Sequence, residues 1–250
     1  CLASSAAMQN TKRDETTQDL VGRVATIRAS LAIIQHDVET ILLQARQALE
    51  HLHPDNLLFR SAAAYTLGVT YHLRGERAAA SQSFTDVLSL SESLADSIYT
   101  IAAAVSLGQI QATDNELFLA SETYERVLQM AGDPAQLIAV DAFLGLARIH
   151  YQWNDLETAH QYGQQCAQLT QQQESIDTYA AYGVFLARLK LAQGDVPGAS
   201  AALAEAETYV RQHDFLFRLP DVVAAQVRTL LRQCNLTAAA QLAEKHDLPF

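Results

Sequence analysis

Apolar and polar positions along the chain follow a helical period, and the helical segments come in pairs that recur roughly every 40 residues. His36, Gly75, Asn115, Asn154, Gly194 and Asn235 each stand between two such segments, at steps of 39, 40, 39, 40 and 41. Gly and Asn tolerate the left-handed backbone that closes a helix C-terminus, so this column marks a tight turn inside each pair. Eight residues before it lie Leu67, Leu107, Leu146, Leu186 and Val227, with Arg28 as the exception. The next position gives Ala29, Gly68, Gly108, Ala147, Ala187 and Arg228, and the position five past the turn gives Ile41, Ala80, Ala120, Ala159, Ala199 and Ala240. A large apolar residue followed by a small one lets paired helices approach closely. A plain bundle has no reason to reproduce one residue type every 40 positions, whereas a stack of repeats does.

The pattern predicts an all-α solenoid of about six helix-turn-helix repeats. Its first helices fall near 17–35, 57–74, 97–114, 135–153, 176–193 and 220–234, each followed by a second helix. Asp37, Asp155 and Asp195 directly follow the turn and are placed to accept hydrogen bonds from the free N–H groups of the second helix. Glu76 and Glu116 put an acid at the same helix start. His53-Pro54-Asp55, Gly132-Asp133-Pro134 and Leu219-Pro220-Asp221 break the chain between repeats. Residues 1–16 read as a flexible N-terminal segment ahead of a single repeat domain over 17–250. The start without Met and the abrupt end at Asp247-Leu248-Pro249-Phe250 suggest a fragment of a larger protein.

Composition agrees with this outline: 10 Gly and 5 Pro in 250 residues favour long helices. The chain is 49% hydrophobic with no apolar run near the ~18 residues of a membrane span, so a soluble, membrane-free protein is expected. A net charge of -11 argues against direct nucleic-acid contact by this segment, because phosphate binding needs clustered Lys and Arg. No signal peptide is evident at the N-terminus, and Cys1, Cys166 and Cys234 are odd in number and far apart, which fits a cytoplasmic setting. Cys166 falls on a helical apolar pattern and reads as a buried thiol.

The run Leu67-Gly68-x-x-Tyr71, followed by Gly75, Ala80 and Phe84, resembles the tetratricopeptide signature in spacing and residue type, and Leu107, Gly108, Ala120 and Tyr124 repeat it. The unit is longer than the ~34 residues of that motif. The longer spacing looks like the helical repeats of the large ATP-dependent LuxR-family regulators typified by MalT, most closely over residues 60–93 and 136–160. The resemblance implies a right-handed superhelix of about six tetratricopeptide-like repeats. It also implies the sensor segment of a transcriptional activator, which takes up an inducer while an ATPase and a helix-turn-helix DNA reader lie elsewhere in the parent protein. No phosphate-binding Gly-x-x-x-x-Gly-Lys-Ser/Thr loop is present, and Gly194-Asp195-Val196-Pro197-Gly198 is a repeat turn.

By analogy with tetratricopeptide geometry, positions 13, 10, 6 and 3 before each turn face the concave groove. The polar and aromatic residues there are Tyr65, His72, Gln109, Asp141, Arg148, Tyr151, Arg188, Thr229 and Arg232. Arg148, Arg188 and Arg232 form a basic strip suited to an anionic group, or to a sugar stacked on Tyr65 and Tyr151. The alternative is that each Arg pairs with a neighbouring acid such as Asp141. Trp153, the single Trp, is either a ligand platform or an aromatic packed at a helix end. No metal site, cofactor or catalytic constellation is expected: there is no His-Glu-x-x-His, and no nucleophile with a base. The expected function is ligand sensing, with a small-molecule inducer or a peptide or protein partner in the groove. The competing reading is a tetratricopeptide-type interaction scaffold.

Overall fold

The computed structural model describes residues 2–34, 37–90, 98–132, 140–173 and 176–246. These form α1 (Leu2–Ile34), α2 (Val38–His51), α3 (Leu57–Leu73), α4 (Arg77–Leu90), α5 (Ile98–Thr113) and α6 (Leu117–Ala131). They continue with α7 (Val140–Gln152), α8 (Leu156–Gln173), α9 (Ile176–Ala192), α10 (Val196–Gln212), α11 (Leu219–Arg232) and α12 (Leu236–Lys245). A 3-10 turn at Leu216–Arg218 leads into α11, and no strand occurs among the described residues. α1 starts at Leu2, inside the segment 1–16 set apart by sequence, and runs unbroken into the first repeat. The helices gather into two compact units, Cys1–Ala131 with α1–α6 and Gly132–Phe250 with α7–α12.

Each described turn inside a pair closes the same way. Gly75, Asn115, Asn154, Gly194 and Cys234 have φ of 76°, 65°, 60°, 81° and 58°. At Gly75 the turn N–H reaches back to the His72 carbonyl, and the next N–H, of Glu76, bonds the Tyr71 carbonyl at 2.9 Å. This double closure satisfies carbonyls that the helix end would otherwise leave open. The same pair of bonds recurs at Asn115–Glu116, Asn154–Asp155, Gly194–Asp195 and Cys234–Asn235. His36 lies outside the described residues. In the sixth repeat the left-handed residue is Cys234 and not Asn235, which shifts the sequence register by one. Asn235 is instead the N-cap of α12, its side chain accepting from the Ala238 N–H. Asp37, Asp155 and Asp195 cap α2, α8 and α10 through the N–H groups of Thr40, Thr158 and Gly198.

The small-residue column forms the contact within pairs. Ala80, Ala120, Ala159 and Ala199 are fully buried, and Ala239 takes that place in α12, leaving Ala240 exposed. The partner position on the first helix is Gly where the second helix carries a ring, as with Gly108 beneath Tyr124. In α8 the volumes are exchanged: Gly163 opens space that the Phe185 ring of α9 enters, 3.2 Å from where a Cβ would stand.

Successive pairs are joined by a second face of each first helix. Ala63 packs with Ala48 of α2 and with Leu52, which caps that helix, and Ala103 and Ile110 pack with Phe84 and Val87 of α4. In the second unit Phe185 and Leu189 meet Ala159 and Cys166, and Val222 and Ala225 meet Ala199, Leu203 and Ala206. Each pair therefore completes its burial only against its neighbour, which is why the repeat is a stacking unit.

Candidate functional site

The corrected register of the sixth repeat changes the basic strip. Counted six residues back from the turns at Asn154, Gly194 and Cys234, the arginines are Arg148, Arg188 and Arg228, at a uniform spacing of 40. Equivalent positions on α7, α9 and α11 put all three on one face of the second unit. Arg232, expected as the third member of the strip, lies four residues further along α11 and borders the same face. The sequence hides Arg228 because Asn235 is as good a turn residue as any in the column, and taking it as the turn moves the strip to Arg232. The signal was present: taking Cys234 as the turn makes the last four steps 40, 39, 40 and 40.

Two adjoining cavities open on this face. The larger, about 330 Å³, is bordered by Tyr151, Arg188, Leu191, Arg228, Thr229 and Arg232. The smaller, about 260 Å³, is bordered by Arg148, Val184, Arg218, Asp221, Val222 and Arg228. Arg228 is common to both. The Thr229 side chain is buried and its hydroxyl donates to the Ala225 carbonyl, so it shapes the wall without offering a free donor.

The charges are held in two different ways. Arg218 is clamped by carboxylates, donating to both oxygens of Asp177 and, at 2.9 Å, to Asp221. The Asp177 bonds, with Asp221 adding to them, push its pKa above the usual arginine range. Arg188 lies over the Tyr151 ring, 5.4 Å from its centroid, while Phe185 meets that ring edge-on at 6.3 Å. Asp141, expected in the groove, is largely buried. Its Oδ1 accepts from the Thr178 hydroxyl at 3.1 Å. Desolvation raises its pKa against that hydrogen bond, nearby Asp177 raises it further, and the fields of Arg148 and Arg218 oppose the rise.

The remaining predicted residues belong to the first unit. Tyr65 is half-buried, its ring 5.8 Å from Phe84 and 5.9 Å from Tyr99, so it is part of the core between pairs rather than an open platform. His72 and Gln109 are exposed on α3 and α5, and their carbonyls accept from the Gly75 N–H and the Thr113 hydroxyl. Trp153 follows the end of α7 and stands edge-on to His150 at 5.2 Å, the packed helix-end arrangement. Burial pushes the Cys166 thiol up to about 12, so it is an unreactive core group. Among the described residues no three His, Cys, Asp or Glu side chains gather as a metal site, and no helix is long and apolar enough to cross a membrane.

No curated protein matches this chain in sequence. Solved structures similar to it share the fold at low identity. The apo form of RapI has a TM-score of 0.75 at 11% identity, over 90% of this chain and 81% of that one. PilW, a widely conserved type IV pilus biogenesis factor, gives 0.66 at 17%, over 90% and 91%. The TPR-like repeats of a kinesin light chain from Podospora anserina give 0.59 at 15%, over 77% and 95%. These likenesses agree with the all-α, tetratricopeptide-like superhelix read from the sequence. The sequence itself matches the MalT-like TPR region over residues 22–250, and the chain belongs to that family.

Proposed function

We propose that this chain is the ligand-sensing, regulatory repeat domain of a MalT-like transcriptional activator, with an inducer or a partner seated on the α7, α9 and α11 face of the second unit. The observation that carries this reading is the pair of adjoining cavities built from equivalent repeat positions and joined by Arg228. Clefts between neighbouring helices where several polar groups converge beside apolar side chains are where ligands bind. An occupant touching three helix pairs at once favours one arrangement of those pairs, and so shifts a population of states that other domains of the parent protein read.

The role is binding and not catalysis, without a cofactor in this segment. DNA contact falls to another part of the parent protein, since a net charge of -11 disfavours the long phosphate backbone of a duplex. A cytoplasmic location fits such a regulator. Isothermal titration of the chain with a panel of oligosaccharides and small metabolites tests the reading. Binding that is lost in Arg228→Ala supports it, and no binding at millimolar concentration across the panel overturns it. The competing reading, an interaction scaffold, draws support from the tetratricopeptide-like fold. It gains if one stoichiometric partner is captured and its capture depends on Arg148 and Arg188.

A further inference from the structure

The larger cavity gathers three arginines, and among the described residues no acid lines it. Arg188, Arg228 and Arg232 border it, no Asp or Glu does, and none of the three forms an ion pair among the described residues. The contrast lies next door, where Arg218 is satisfied by Asp177 and Asp221. This happens in a chain with 28 acidic and 17 basic side chains, where a neutralising carboxylate is the easier outcome. Like charges held together on a partly enclosed wall repel unless an anion sits between them.

The Tyr151 ring is also spoken for. One face carries the Arg188 guanidinium and an edge contact comes from Phe185, so the platform on which a neutral sugar would stack is already engaged. What the cavity offers an occupant is three arginines beside a short apolar wall of Ala187, Leu191 and Ala225. Guanidinium groups match the paired oxygens of carboxylates and phosphates. A volume of about 330 Å³ lies at the small end of ligand sites.

We infer that the occupant of this cavity is a small organic anion with at least two negative charges, a phosphate ester or a polycarboxylate, held between Arg188, Arg228 and Arg232. The inference rests on the reading of this face as a ligand site. Phosphate esters and polycarboxylates share the chemistry that three arginines recognise, and separate probes tell them apart.

The test is isothermal titration of the whole chain with glucose 6-phosphate, citrate, glucose and maltotriose, each at low and at physiological salt. One of the two anions binds, the tighter naming the class, while the neutral sugars do not. Arg188→Gln and Arg228→Gln each weaken that binding about tenfold or more, and added salt weakens it in the parent chain. Both arginines are exposed, so melting curves of the variants stay close to the parent curve. Arg211→Gln, on α10 and paired with Glu207, leaves binding unchanged. A neutral sugar that binds, with Kd unmoved by Arg228→Gln, overturns the anionic class while leaving the ligand face standing. Anion binding equal in all variants, or no anion binding at millimolar concentration, also overturns it.

Discussion

The Phe84 ring occupies the space that a side chain on Gly68 would need: a Cβ at Gly68 would stand 2.5 Å from Phe84 Cε1. Phe84 is fully buried, and Gly68 sits mid-helix, where Gly is ordinarily unfavourable by about 1 kcal/mol relative to Ala. The contact therefore outweighs helix propensity. Gly68→Ala should destabilise the chain by about 1–3 kcal/mol, the cost of overpacking. Phe84→Ala should cost about 3–5 kcal/mol by leaving a cavity. The two positions touch, so Gly68→Ala combined with Phe84→Ala should cost less than the separate changes added together. Urea unfolding of the four proteins measures this, and strict additivity would refute the steric coupling.

The turn of the sixth repeat allows the register itself to be tested. Cys234 adopts φ of 58°, a conformation costly for a residue with a Cβ, and Asn235 caps the next helix. Cys234→Gly should stabilise the chain by about 0.5–1 kcal/mol. Asn235→Ala should destabilise it by about 1 kcal/mol through loss of the cap. If Asn235 were the left-handed residue, Asn235→Gly would be the stabilising change; thermal unfolding of the three variants decides between the registers.

Why the rest of the register was legible and this turn was not has a physical answer. Gly75, Asn115, Asn154 and Gly194 are the types that tolerate positive φ, and the alanines five residues on are types that only close packing selects, so two independent constraints agree there. At 234 and 235 they conflict. Asn suits both a helix C-terminus and an N-cap, whereas Cys is not a residue that announces a left-handed turn. The misplaced turn then carried Arg228 out of the candidate strip. The packing of Asp141 and Tyr65 is hidden for another reason: the helical phase gives the direction of a side chain, but whether that direction ends in solvent depends on Thr178 and Tyr99, which belong to the next repeat.

The first helix shows the same limit from the other side. Val24, Ile27 and Leu31 stand 12, 9 and 5 residues before the turn position at His36 and are 46%, 53% and 56% exposed. At the corresponding places Ala63, Ala103 and Val222, then Phe185 and Ala225, then Ile110 and Leu189 are all buried, because a preceding pair covers them. Sequence pattern marks both sets as apolar and cannot tell which is covered. Leu31→Ala should therefore cost less than about 1 kcal/mol, while Leu189→Ala should cost about 2–5 kcal/mol. A large loss of stability in Leu31→Ala by chemical denaturation would mean that its helix face is covered in solution.

The buried carboxyl of Asp141 gives a prediction in pH. Desolvation raises its pKa in the folded chain above the unfolded value, so folding takes up a proton in the window between the two. The sign follows: the group's contribution to stability is most favourable below the unfolded pKa and declines as pH rises through the folded one. Above its folded pKa the group is a largely buried carboxylate whose hydrogen bond from Thr178 only partly offsets its desolvation. Asp141→Asn keeps an oxygen that can accept from the Thr178 hydroxyl and removes the charge. The variant should melt at a higher temperature than the parent chain at pH 7, and the gap should narrow as pH falls into the ordinary carboxylate range. A variant that melts lower than the parent at pH 7, with the gap closing at acid pH, would show that the attraction of Arg148 and Arg218 outweighs the cost of burial.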